Sequence, residues 1–249
     1  MKEERFYQNI QKAFENLPEN YSILEEQIEI EIQMKYYEFS KKLSEKDISN
    51  ECFINRKQLL DDTVSVERKK EILSAIATVD DVKAYRAIEN FVKENEGEIK
   101  QWAVLALQES RMLIQSSLLD EQQVFISTGL GGKGKMLRYY VVFINKNQSD
   151  LLNKTQQKLL RDELIYELKN SQGKFESMNF MDGFSTALVM LSLQIDIRKV
   201  FQNVIDECNQ YGNFLEDNMI VTNVKVMSRS EIIQLLHQNK NMDFDELEE

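Results

Sequence analysis

The sequence predicts an α+β protein, with an N-terminal all-α domain followed by an antiparallel sheet that carries helices on one face. Three observations predict it. One proline and eight glycines in 249 residues, with abundant Glu, Lys, Gln and Leu, favour helix over a sandwich or barrel. Up to Leu119, apolar residues recur at helical spacing. Beyond it, short runs of β-branched and aromatic residues alternate with helical stripes and are separated by turn residues. The expected division is therefore 1–119 helical, 120–238 α+β, and 239–249 an acidic, mobile tail.

Two stripes open the helical domain: Phe6, Ile10 and Phe14, then Leu24, Ile28, Ile32 and Tyr36. The second runs through EQIEIEIQM, whose alternation also suits a strand. Helix is preferred there because Glu and Gln dominate and turn residues are missing. From Val66 the pattern is more regular. Ile72, Ile76 and Val79 form one stripe, and Asp80 is placed to cap a helix bearing Ala84, Tyr85, Ile88, Phe91 and Val92. Gly97 suits a helix end. A third helix carries Ile99, Trp102, Ala103, Ala106 and Leu113, with Trp102 expected in the core.

The stretch KKEILSAIATVDDVKAYRAIENFVKENEGEIKQWAVLALQES, within 66–119, resembles a HEAT-like helical repeat unit. That resemblance implies a helical surface that docks a protein partner. An ordinary helical bundle is the alternative, because no second copy is evident and solenoids need about three repeats.

In the second domain, Gln123–Thr128 and Leu137–Asn145 read as two strands of a hairpin around GLGGKGK. A helix follows over Thr155–Asn170, with Leu160, Leu164 and Leu168 on one face. Lys174–Phe180 and Ser185–Ile195 read as a second hairpin around Asp182 and Gly183. Asp196 is placed to cap a helix with Val200, Val204, Ile205, Cys208 and Tyr211 in a stripe. Met219–Met227 is the last strand, and Ser228 with Glu231 has the spacing of a capping box before a short terminal helix. In element order this half resembles a ferredoxin-like α+β domain. The final NMDFDELEE holds five acidic residues and no basic one, which is the basis for the mobile tail.

No complete catalytic or metal-binding motif is present, so no catalytic residue, metal or cofactor is assigned. Cys52 and Cys208 form no CxxC or CxxxH pairing, and His237 is the only histidine. His237 is expected to serve helix-end carbonyls rather than acid–base chemistry. Adjacent carboxylates such as Asp61 with Asp62 face different sides of a helix and make poor metal clamps.

The most pointed feature is the Gly-rich stretch. It is not a Walker A loop, because it leads into a strand and lacks Ser or Thr after its lysine. Still, Gln122 to Ser149 holds no acidic residue in a chain of net charge −11. Ser127, Thr128, Gly129, Gly131, Gly132, Lys133, Gly134, Lys135 and Arg138 are therefore candidates for holding a small phosphorylated or carboxylated anion.

The functional expectation is a non-enzymatic, cytoplasmic protein-interaction adaptor that docks a protein partner on its helical domain. A domain binding a small anion at 127–138 is the alternative. The net charge argues against a nucleic-acid partner, and no apolar run reaches the length of a membrane span.

Overall fold

The computed structural model of the protein describes residues 21–44, 46, 48–121 and 123–245, with side chains through His237 except Ser44, and among the described residues five helices build the first half. The stripe at Phe6 to Phe14 and the last four residues of the acidic tail lie outside that range. The helices are α1 (Ile30–Ser44), α2 (Ser49–Ile54), α3 (Val66–Ala77), α4 (Val82–Glu94) and α5 (Gly97–Leu119), with a 3₁₀ turn at Arg56–Leu60.

The ambiguous EIEIQM segment is helical from Ile30. Tyr21–Ile23, however, is a short strand, β1. Ser65 caps α3, its hydroxyl accepting from Arg68 N at 3.3 Å. The cap of α4 is Asp81 and not Asp80: Asp81 has the extended backbone a cap needs, and its carboxylate accepts from Lys83 N at 2.6 Å.

Between the helices lies a core of Tyr36, Ile72, Leu73, Ile76, Ile88, Phe91 and Trp102. Trp102 is in this core, as expected. Its indole N–H donates to Ser74 Oγ at 3.0 Å, and the rings of Tyr36 and Phe39 meet it edge-on at 5.3 and 5.4 Å. The hairpin of α3 and α4 is followed by the single long α5 and then by strands.

The second half is an antiparallel sheet with strands β4 (Met136–Asn145), β5 (Lys174–Met181), β6 (Phe184–Ser192) and β7 (Leu215–Thr222), in the order β7-β4-β6-β5. Helix α6 (Lys154–Asn170) connects β4 to β5, and α7 (Ile197–Gln210) connects β6 to β7. Asn153 forms a full capping box with Gln156 at the start of α6. As the sequence predicts, the α+β class holds and both connecting helices cover one face. Leu160, Leu164 and Leu168 of α6 and Val200, Phe201, Val204 and Ile205 of α7 pack on Val141, Phe143, Val189 and Leu191.

Two expectations change. Val124–Ile126 is strand β2, but it does not pair with β4; it pairs in parallel with β1, Tyr21 opposite Val124. The hairpin partner of β4 is the two-residue strand β3 (Gly132–Lys133). The region beyond residue 238 is not a tail throughout, because helix α8 (Arg229–Asp245) continues to Asp245. Its Ile232, fully buried, packs with Tyr140, Val142 and Phe184 on the sheet face opposite α6 and α7. Tyr139 and Tyr140 thus face opposite sides, and both are buried.

Candidate functional site

The Gly-rich stretch is a packed junction. Adding a Cβ to Gly129 would place it 1.6 Å from the Val224 carbonyl oxygen, and at Gly132 2.2 Å from that of Met136. Gly131 has a left-handed φ of +64°, and a Cβ there would fall 2.6 Å from the carbonyl oxygens of Glu25 and Glu26. The backbone groups are used internally: Leu130 N donates to Asn223 O, Gly131 N to Thr128 O, and Arg138 N to Gly131 O.

Ser127 Oγ donates to Gln33 Oε1, and the buried Thr128 hydroxyl donates to Gly131 O at 3.3 Å. Arg138 forms a two-pronged ion pair with Glu176 at 2.5 and 2.9 Å and also donates to Leu130 O at 2.7 Å. Glu176 raises the guanidinium pKa further. Of the nine predicted residues, Lys133, Gly134 and Lys135 are exposed, and Lys135 lies 5.3 Å from the Tyr21 ring centre. Sequence reasoning read these glycines as exposing amides to a ligand. Three of them make room for backbone from residues 25–26, 136 and 224, while Lys133, Gly134 and Lys135 at the tip stay open to solvent.

A different cluster is built in the helical half. The 3₁₀ turn supplies Arg56, Lys57, Leu59 and Leu60, and the first three turns of α4 supply Val82, Lys83, Arg86, Ala87 and Asn90. Together they line a cleft of about 330 Å³. Its walls carry four cations and no carboxylate. Leu59 is a buried floor residue, whereas Leu60 and Val82 are exposed at the rim, at 67% and 60%.

Arg56 is held in place: its guanidinium donates to Phe53 O at 2.7 Å and stacks 4.5 Å from the Phe53 ring centre. Arg86 lies 5.7 Å from the Tyr85 ring centre and pairs with Glu89 at 2.6 Å. Arg56, Lys57 and Lys83 form no ion pair with any described residue. The adjacent carboxylates have other duties. Asp61 accepts from the Thr63 amide and hydroxyl, which lower its pKa, and Asp81 caps α4.

A buried polar cluster joins α1 to α5. Tyr36 O–H donates to Glu109 Oε2 at 2.5 Å, and Ser40 Oγ donates at 3.3 Å to the same carboxylate. Burial raises the Glu109 pKa above the usual carboxyl range, the two hydroxyls opposing that shift. The folded state therefore binds this proton more tightly than the unfolded chain. Stability from this group is full at low pH and is lost as pH climbs through the raised folded value. Glu109→Gln, which keeps an acceptor for Tyr36, is expected to remove that slope and to raise Tm at pH 8 while leaving it little changed at pH 4. Thermal melts across this range check it.

His237 is exposed on α8. Among the described residues, no group of three His, Cys, Asp or Glu is placed to hold a metal ion, and no helix is long and apolar enough to cross a membrane. Both cysteines are buried thiols, and burial pushes Cys208 up to about 12.

No protein-family model and no curated protein sequence matches the chain. Among solved structures, the chain is similar to a protein provisionally described as a transposase from Deinococcus radiodurans R1. The identity is 15% and the TM-score 0.36, over 41% of this chain and 90% of that one. It is also similar to a REP-associated tyrosine transposase bound to a REP hairpin, at 11% identity and TM-score 0.32, over 36% of this chain and 57% of that one.

Neither neighbour is described as an adaptor, a protein-binding protein or a HEAT-like repeat, and one is bound to nucleic acid. The expectations of a non-enzymatic docking adaptor and of no nucleic-acid partner are accordingly withdrawn. The second rested on a net charge of −11, which averages over the whole surface and does not describe a local cluster.

Proposed function

We propose that the protein binds nucleic acid, with the Arg56, Lys57, Lys83 and Arg86 cleft as its phosphate contact. The observation that carries this reading is four cations lining one cleft without a carboxylate, in a chain otherwise strongly acidic. The rim supports it. Exposed Leu60 and Val82 offer apolar surface to sugar and base while the cations meet phosphate. Arg56 is fixed against the ring and carbonyl of Phe53, which presets one guanidinium at the cleft for a phosphate oxygen.

Along α4, Lys83, Arg86, Asn90 and Lys93 recur at helical spacing over about 15 Å, Lys93 lying about one turn beyond the cleft. Glu89 bridges Arg86 and Lys93 and offsets part of that charge. The buried free thiols support a reducing, cytoplasmic setting.

Fluorescence anisotropy with a labelled single strand, titrated at several salt concentrations, tests the reading. With three or four phosphate contacts, log K is expected to fall with log salt at a slope of about −2 to −3. Replacing Lys57 and Lys83 together by alanine should flatten the slope by about 1.4. Both side chains are exposed, so folding should be unaffected. Absence of binding at low salt, or a slope indifferent to the double substitution, refutes the proposal.

A further inference from the structure

Resting on the nucleic-acid reading, we infer that the cleft takes the end of a strand, specifically a terminal phosphomonoester with its nucleotide, in preference to an internal phosphodiester. Charge is the first reason. An internal diester carries one negative charge, while a monoester carries about −1.5 to −2 near pH 7. Three cations without an ion-pair partner among the described residues, Arg56, Lys57 and Lys83, together with Arg86, which shares Glu89, surround about 330 Å³; they suit the doubly charged group and exceed what one diester requires.

Size and surroundings are the second. A cavity of this volume is at the lower end of small-ligand pockets, enough for a single compact unit. Asp61 and Asp62 directly follow the 3₁₀ turn, and Asp80 and Asp81 directly precede α4. A polyanion continuing beyond the cleft on those sides would run against carboxylates. Along α4 the cleft passes Asn90 to Lys93, and the carboxylate there, Glu89, is already engaged by Arg86 and Lys93, so the strand enters from this side and stops.

The test compares three single strands of the same sequence: one with a 5′ phosphate, one with a 3′ phosphate and one with neither. Each is measured by anisotropy on the full chain and on Lys57→Ala/Lys83→Ala, whose melting curve is taken alongside. One phosphorylated strand is expected to bind about tenfold more tightly than the unphosphorylated one. That advantage should vanish in the double variant and shrink below pH 6, where the monoester dianion takes up a proton and becomes a monoanion.

A covalently closed single-stranded circle should bind no better than the unphosphorylated strand. Excess phenyl phosphate, a monoester without a nucleic-acid chain, should compete only for the advantage given by the end. Equal affinity for all three linear strands overturns this inference and leaves the nucleic-acid reading standing. No binding by any strand overturns that reading as well.

Discussion

Gly129→Ala should destabilise the protein by about 3 kcal/mol or more, or prevent it from folding. The added methyl would fall 1.6 Å from a backbone oxygen, that of Val224, and neither segment is a flexible side-chain end that can swing aside. Gly129 lies in the loop that leads to β3, and Val224 follows β7, so the clash would force the loop away from the sheet. Gly134→Ala is the control. Gly134 has a φ of +62° and nothing within 4 Å of a new Cβ, so only left-handed strain of about 1–2 kcal/mol applies. Urea unfolding of both variants distinguishes a packed junction from a ligand loop. Equal, small losses at the two positions would contradict the junction described above.

Trp102→Ala should cost about 3–5 kcal/mol. The indole fills the space between α1, α3 and α5, where Tyr36 and Phe39 meet its edges, and it satisfies Ser74, a residue 1% exposed. Removing it opens a cavity and leaves a buried hydroxyl without its donor. Trp102→Phe should recover part of the loss by refilling volume, but not the hydrogen bond. Chemical denaturation, read by far-ultraviolet circular dichroism since the sole tryptophan is gone, measures both. A loss under about 1 kcal/mol for the alanine variant would mean that the helical core does not depend on this side chain.

The amphipathic elements were legible because their burial is local and periodic. Leu160, Leu164 and Leu168 return every four residues and all face the sheet, as do Val200, Val204 and Cys208. The cap at Asp196 follows from a single residue and its successor amides, and Lys199 N donates to it at 3.1 Å. Strand β1 was not legible. Three residues, Tyr21 to Ile23, show no useful alternation, and the partner that makes them a strand is β2, far along the chain.

The packing of the Gly-rich stretch was not legible, for a physical reason. Glycine is required both where φ is positive and where another backbone passes close by, and the letter is the same in both cases. Gly129 and Gly132 belong to the second kind, and the segments that crowd them cannot be known from their neighbours in sequence. The cationic cleft escaped because its two pairs, Arg56 with Lys57 and Lys83 with Arg86, are separated by α3. Only the helical packing brings them to one wall.

The pairing of β1 with β2 means that the helical half starts and stops at the same place. Tyr21 and Val124 stand opposite each other, on strands about 4.8 Å apart, although about a hundred residues of chain run between them. Between these strands the described chain builds the whole helical core before it comes back to pair with β1. Because the two strands are parallel, the chain leaves one end of this short ladder and returns at the other, so replacing the stretch between them would take a crossover connection and not a tight turn.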